Sequence, residues 1–464
     1  MTPNISSFVR APLKDSYDLI VLGSGPGGQR AAVQAAKLGK KVLVIEKQRL
    51  GGSCLHLGTI PSKALREAAL SQAPGTNSLQ VVMARTHRVI EEECKIIEEQ
   101  LGRNAIEFIS GTGSFIDDHH VLLKNPLGEF KVRGEIILIA VGTRPRRPAE
   151  IPFDGEVILD SDMLLAIERQ PRSLLVLGAG VIGCEYASIF ARTGVAVTLV
   201  ESRPGILPSI DQEIVAALMK QFDQSGISVY TSTTFKDLKR VDFGGRPAAS
   251  VTLVSGEMSQ ERSFEAVLYC LGRSGNYEDL NLAAVGLKVD DRGSLAVNRN
   301  YQTPVPHIYA VGDIIGAPAL AASSSEQGRL AALHAIQGTP AEFPDTFPYG
   351  IYTIPEISSV GFMESQLAKR KIKYVVGKAQ YSEIARGKMI QDDYGFLKLI
   401  VHAKTRRIVG VHVIGTSATE LVHIGQVAMS FGATVDFFVE NVFNYPTLAE
   451  AYKVAAFNAI NQLK

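Results

Sequence analysis

The stretch GGSCLHLGTIPSKAL, residues 51 to 65, places one thiol in a glycine-rich loop. A redox disulfide needs two nearby sulfurs, because thiol–disulfide exchange joins an attacking thiolate to a second sulfur that resolves it. Cys54 is followed five positions on by Thr59, whose hydroxyl cannot form that bond. Cys54 reads either as a lone thiol facing a ligand, open to oxidation, or as a packing residue. His56 could act as a local acid or base, although a loop histidine is more often a hydrogen-bonded bystander. Lys63 lies nine positions after Cys54, in a segment that reads as a helix opened by Pro61. Cys94 shares a helical stripe with Ile90, Ile97 and Leu101, a core pattern. Cys184 and Cys270 sit in apolar runs and read as packing too. Four cysteines in 464 residues are no disulfide scaffold and point to a reducing compartment, the cytoplasm. No histidine or cysteine cluster has zinc-site spacing, so no metal is expected.

The elements that must position these residues carry their own chemistry. YDLIVLGSGPGGQRAAVQAAKLGKKVLVIEK, residues 17 to 47, reads strand, glycine turn, helix, strand. Its first strand is apolar throughout, as parallel strands covered on both faces are. Gly23, Gly25 and Gly28 stand in a G-x-G-x-x-G pattern, and Glu46 closes the second strand 18 residues after Gly28. The first glycine permits a tight turn, the second lets a pyrophosphate approach the backbone, and the third lets helix and strand pack closely. The helix N-terminus then faces the phosphates with free N–H groups, and Glu46 can accept from ribose hydroxyls. SLLVLGAGVIGCEYASIFARTGVAVTLVESR, residues 173 to 203, repeats the plan with Gly178, Gly180 and Gly183, and Glu201 again follows the last glycine by 18 residues. One such motif is weak evidence. Two with matched flanks argue for two dinucleotide sites, most simply FAD and a nicotinamide nucleotide. Glu185 lies just past Gly183, in the second helix.

Three further apolar strands end in turns. EIILIAVGTRP carries Thr143, AVLYCLGRSGN carries Gly272, and HIYAVGDIIG puts Asp313 at a strand's carboxyl end. Cofactor hydroxyls would lie there, although a turn or N-cap aspartate fits the spacing as well. After about residue 346, alternating strands and then helices form an α+β unit without nucleotide motifs.

Bulk properties exclude other classes. A formal net charge of +1 leaves no electrostatic footprint for nucleic acid. No apolar run approaches the roughly 20 residues that span a bilayer. The opening MTPNISSFVRAPLKD lacks a signal-peptide apolar stretch and reads as a short tail.

The order of these landmarks, closed by NYPTLAEAY, resembles the FAD-containing pyridine nucleotide–disulfide oxidoreductase family from Tyr17 to the C-terminus. The resemblance implies an α/β fold of two Rossmann-like dinucleotide-binding domains with a C-terminal α+β dimerisation domain. Residues 1–150 and 275–346 would bind FAD, 151–274 would bind NAD(P), and 347–464 would form the interface of a homodimer or a higher oligomer. It assigns Gly23, Gly25, Gly28, Glu46, Gly52, Thr143 and Asp313 to FAD. Gly178, Gly180, Gly183, Glu201, Arg203 and Gly272 go to the nicotinamide nucleotide. Lys63 and Glu185 would pair near the flavin, with Cys54 and the partner-facing Tyr445 completing the reaction centre. Family members such as dihydrolipoamide dehydrogenase keep two cysteines in the loop and a His-Pro near the end. Here Thr59 and Tyr445 replace one cysteine and the histidine, while Glu450 remains.

With the thiol half missing, what remains is hydride exchange between NADP(H) and NAD(H). The alternatives are a dihydrolipoamide dehydrogenase-like enzyme, an NAD(P)H:acceptor reductase, and a nucleotide-sensing scaffold. Glu201 favours NAD and repels a 2′-phosphate, while Arg203 could pair with that phosphate, so use of both nucleotides is expected, with NAD the easier partner.

Overall fold

The computed structural model describes residues 13–71 and 79–463. The first twelve residues of the opening segment, expected as a tail, lie outside them. The first glycine motif builds a parallel sheet: strand Ser16–Leu22 pairs with Val42–Glu46 on one side and with Gly128–Ile139 on the other. Strand Glu107–Ser110 extends the first edge. The strand Gly128–Ile139 does two jobs. Its first half pairs antiparallel with His120–Asn125, part of a meander, and its second half lies parallel to Ser16–Leu22. Residues 137–139 of that second half also pair, on their other edge, with Ile308–Ala310, which the chain supplies much later.

Between those visits the chain makes a second all-parallel sheet. Ser173–Leu177 lies between Ala196–Val200 and Ala266–Tyr269, with Ser228–Tyr230 and Ile158–Asp160 at the edges. Residues 174–177, 197–200 and 266–269 of its central strands are buried, as the continuous apolar runs require. The two straps joining the sheets, Thr143–Pro145 and Arg273–Gly275, pair antiparallel with each other.

Strands Thr234–Asp242, Pro247–Ser255 and Met258–Phe264 add a small antiparallel sheet to the second unit. From Tyr349 on the chain forms a five-stranded antiparallel sheet, with strand order Tyr349–Ile351, Ile357–Gly361, Ile408–Ile414, Phe396–His402, Tyr374–Gln380. Helices Ala418–Ser430 and Glu450–Ile460 bury Leu421, Val422, Tyr452 and Ala455 in its core. Lys398, 1% exposed on this sheet, reaches Asp211 at 2.9 Å and Glu213 at 3.2 Å on the nucleotide-binding unit. It also meets Glu364 of its own unit at 2.5 Å. A buried ammonium is tolerable only when so surrounded, and the cluster ties the second and third units together. No helix among the described residues is long and apolar enough to cross a membrane.

Candidate functional site

The glycines of the first motif differ in what fills the space beside them. A Cβ on Gly23 would lie 2.4 Å from Ala140 O, and one on Gly28 would lie 2.0 Å from Gly23 O. Those two glycines are needed for the protein's own packing. A Cβ on Gly25 would meet nothing within 4 Å, so its bare backbone faces open space at the start of helix Pro26–Lys37. Beside it, Glu46 is buried and ordered. One carboxylate oxygen accepts from Ser24 N–H at 2.9 Å and Ser24 Oγ at 2.8 Å, and the other from Gln48 N–H at 2.8 Å. About four lone-pair positions exist on a carboxylate, so one is left for an incoming hydroxyl.

A cleft of about 950 Å³ opens from this turn, with Glu46, Gly52, Thr143 and Asp313 in its wall. Thr143 Oγ1 donates to Asp313 at 3.2 Å and accepts from Arg273 Nε at 2.8 Å. The cleft continues to Val181, Ile182 and Glu185 at the second motif's helix.

In that second motif a Cβ on Gly183 would lie 1.9 Å from Gly178 O, and one on Gly178 2.8 Å from Leu271 Cδ2. Gly180 and Gly272 face open space, as Gly25 does. The acidic residue differs from its counterpart. Glu201 accepts from Ala179 N–H at 3.0 Å, from Arg203 N–H and Nε at 2.9 Å each, and from Arg203 Nη2 at 2.8 Å. Burial pushes its carboxyl up, but the bonds from Arg203 and Ala179 outweigh burial and hold it down at about 2. Both oxygens are thus occupied, and a ribose must displace the Arg203 guanidinium to reach them.

Lys63 and Glu185 meet between the two motifs, 122 positions apart in the chain. The Lys63 ammonium lies 2.8 and 2.9 Å from the two carboxylate oxygens. It sits 4.8 Å from the Tyr352 ring centroid, and Tyr352 N–H donates to Glu185 at 2.9 Å. Helices Thr59–Leu70 and Val181–Arg192 therefore hold one charge pair against a loop of the third unit. Cys54 lines the same cleft. Burial pushes its thiol up, the Thr59 hydroxyl bonded to it pulls the other way, Asp313 adds to the rise and Lys63 offsets part of it. All four described cysteines are unpaired. His56 bonds the Leu50 carbonyl at 2.8 Å through Nε2, and its Nδ1 is buried without a partner. Because Cys54 and Thr59 line the same cleft and the Thr59 hydroxyl acts on the Cys54 thiol, Thr59→Cys is expected to close a disulfide between the introduced thiol and Cys54 under mild oxidation. Cys54 lies in a short helix, Gly52–His56, where the sequence suggests a loop, and Thr59 opens the next helix. Peptide mass mapping after blocking free thiols reads the bond, and a fully alkylated variant would mean the two helices hold these side chains too far apart.

Tyr445 is not brought to this cleft in the same chain. It is 68% exposed and precedes Pro446 through a cis peptide bond. Glu450 keeps a buried carboxylate oxygen with no hydrogen-bond partner. Other cleft residues escape sequence reasoning. Tyr352, Thr419 and His423 enter from the third unit, and Asp162 from the second. Burial pushes Asp162 up to about 6 against the pull of Arg273. Outside the cleft, the fold gathers Asp118, His119 and His307, with ligand atoms within 4.8 Å of one another. Spacing along the chain gives no hint of that cluster, because His307 comes from a distant segment.

The sequence profile described as pyridine nucleotide-disulphide oxidoreductase matches residues 17–328, and that of the same group's dimerisation domain matches residues 347–456. The chain is 46% identical to a soluble pyridine nucleotide transhydrogenase of Mycobacterium bovis, over 97% of this chain and 98% of that one. It is 42% identical to the protein of that name from Colwellia psychrerythraea, over 96% and 98%. Among solved structures, LpdA of Mycobacterium tuberculosis superposes with a TM-score of 0.87 at 27% identity, covering 95% of this chain and 98% of that one. An HOCl-induced flavoprotein disulfide reductase of Escherichia coli gives 0.87 at 25%, covering 95% and 99%.

Proposed function

We propose, from the premise that this chain belongs to the pyridine nucleotide-disulphide oxidoreductase family, that it is a pyridine nucleotide transhydrogenase. In this reading one nicotinamide nucleotide delivers hydride, leaves, and is replaced at the same cleft by the other, which collects it. The observation that carries the reading is the pairing of two intact nucleotide cradles with a cleft whose single thiol faces Thr59 and not a second sulfur.

The cofactor is FAD, and NAD(H) and NADP(H) are the substrates. Bound FAD supplies hydride acceptance and donation, which no side chain of the cleft provides. The residues present fit it: Gly25 leaves room for a pyrophosphate at a helix N-terminus, Glu46 retains one acceptor position, and Gly52, Thr143 and Asp313 wall the rest. We assign this role to residues 1–150 with 275–346, nucleotide exchange to 151–274, and dimerisation to 347–464. Gly178, Gly180, Gly183 and Gly272 shape the second cradle, with Glu201 and Arg203 at the ribose end. Lys63, fixed by Glu185, holds a positive charge in the cleft where negative charge develops on reduction. Cys54, its thiol pushed up by burial, stays protonated and fills space beside that centre.

Homodimerisation is supported by apolar side chains left in water on the third unit: Phe431 is 87% exposed and Val442 94%. In such a dimer Tyr445 would face the cleft of the second copy. We place the enzyme in the cytoplasm.

The test is to mix the purified, flavin-loaded protein with NADPH and thio-NAD+, following reduction of the analogue, with lipoamide and a quinone assayed in parallel. Rapid analogue reduction without lipoamide turnover is expected. Lipoamide turnover, or quinone reduction with no analogue reduction, would overturn the reading. The glycines supply a second check. Gly25→Ala is expected to fold normally yet purify with its flavin-to-protein absorbance ratio reduced several-fold. Gly28→Ala, whose Cβ would strike Gly23 O, should lose folded protein as well. A Gly25→Ala protein as yellow as the parent would sink the cradle assignment.

A further inference from the structure

We propose that Asp118, His119 and His307 form a binding site for a divalent transition-metal ion of the kind imidazole favours, zinc(II) or copper(II), apart from the hydride cleft. The two histidines come from distant parts of the chain and are both anchored on the strand Gly128–Ile139. Gly134 N–H donates to the His119 carbonyl at 2.9 Å, and Ile137 N–H donates to the His307 carbonyl at 3.0 Å. Their rings stack with centroids 4.0 Å apart and planes 10° from parallel.

Each ring spends one nitrogen on a backbone carbonyl. His119 Nδ1 donates to Gly134 O at 2.9 Å, and His307 Nε2 donates to Asp118 O at 2.6 Å. A carbonyl only accepts, so those nitrogens carry the hydrogens in the neutral ring. His119 Nε2 and His307 Nδ1 are left as lone pairs, the tautomers a metal needs. Outer bonds of this kind are how ligating histidines are usually oriented. Asp118 supplies the third ligand. Its neighbour Asp117 takes the backbone bonds of the turn, from His119 and His120 N–H, which leaves the Asp118 carboxylate outside the turn.

Three ligands of this type with an open position suit tetrahedral zinc or tetragonal copper. In-plane lone pairs of two stacked rings run side by side and do not converge. Binding must therefore splay the stack and bring the two free nitrogens and an Asp118 oxygen to about 3.3 Å from one another, the spacing implied by metal–ligand distances of about 2.1 Å. Only side chains need turn, because both backbones are pinned. The ion would clamp the meander to the amino end of strand Ile308–Ala310, whose other end leads to Asp313.

Copper(II) titrated into the flavin-loaded protein is expected to bind one equivalent, with an electron paramagnetic resonance spectrum showing hyperfine coupling to two nitrogens. His307→Gln and His119→Gln keep an N–H for each carbonyl but remove the imidazole, and each should weaken binding at least tenfold and erase the two-nitrogen pattern. Zinc(II) should compete with copper and raise the melting temperature of the parent but not of His307→Gln. His307→Gln should retain metal-free transhydrogenation, which certifies its fold. Unchanged copper affinity in both glutamine variants would overturn the site, as would loss of binding in Cys54→Ser.

Discussion

Lys63→Met is expected to lower the rate of thio-NAD+ reduction by NADPH about 10²–10³-fold, the loss typical when one preorganised charge or donor facing a reacting centre is removed. The same change leaves the Glu185 carboxylate, whose side chain is 5% exposed, with only the Tyr352 N–H to bond it. Breaking a buried pair from one side costs about 3–5 kcal/mol. Lys63 retains 25% exposure, so a loss near about 3 kcal/mol is expected here. Glu185→Gln removes the anchor and keeps the ammonium. It should cost less stability and leave Lys63 free to swing, so activity falls with a milder melting-temperature change. Lys63→Arg keeps charge but not shape and should restore part of the rate. If Lys63→Met is destabilised yet turns over at the parent rate, the pair is a structural tie and no more.

Glu201→Gln is expected to reverse the ease with which the two nucleotides bind. At neutral pH the carboxylate is ionised, since its hydrogen bonds hold it far below that range, and an anion here repels a 2′-phosphate. It also holds Arg203, through Nε at 2.9 Å and Nη2 at 2.8 Å. Removing the charge does two things in one direction: repulsion ends, and the guanidinium is released to pair with phosphate. A charge-assisted hydrogen bond contributes about 1.5–3 kcal/mol, which corresponds to a fall of about 10–100-fold in the NADP(H) Michaelis constant. The NAD(H) constant should rise, because the acceptor for its ribose is weakened. Arg203→Ala should act oppositely on NADP(H), and in the double variant the gain should vanish. An NADP(H) constant unmoved by Glu201→Gln would show that selection occurs elsewhere.

These two sites differ in how far the chain reveals them. The glycine turns are legible because their physics is local. Gly23, Gly25 and Gly28 lie within six residues, and a missing Cβ at each has a reason the spacing already states. Glu46 and Glu201 are equally legible as strand-end acids. That one keeps a free acceptor position and the other is capped is not, since it depends on which side chain follows and where it folds. The Lys63–Glu185 pair becomes visible only through resemblance, because no periodicity connects helices from different units. Tyr352, Thr419 and His423 escape for the same reason: a third unit with no nucleotide motif closes the cleft. His119 and His307 meet only because one strand hydrogen-bonds to both neighbourhoods.

The strand Gly128–Ile139 has a consequence for the order of synthesis. Its second half finds one partner early, in Ser16–Leu22, and the other, Ile308–Ala310, only after the whole intervening parallel sheet has been made. On the ribosome the emerging first lobe carries a bare apolar edge, the kind of surface that recruits stray strands. The late arrival of three residues covers that edge, and the same short stretch carries Asp313 to the wall of the cleft.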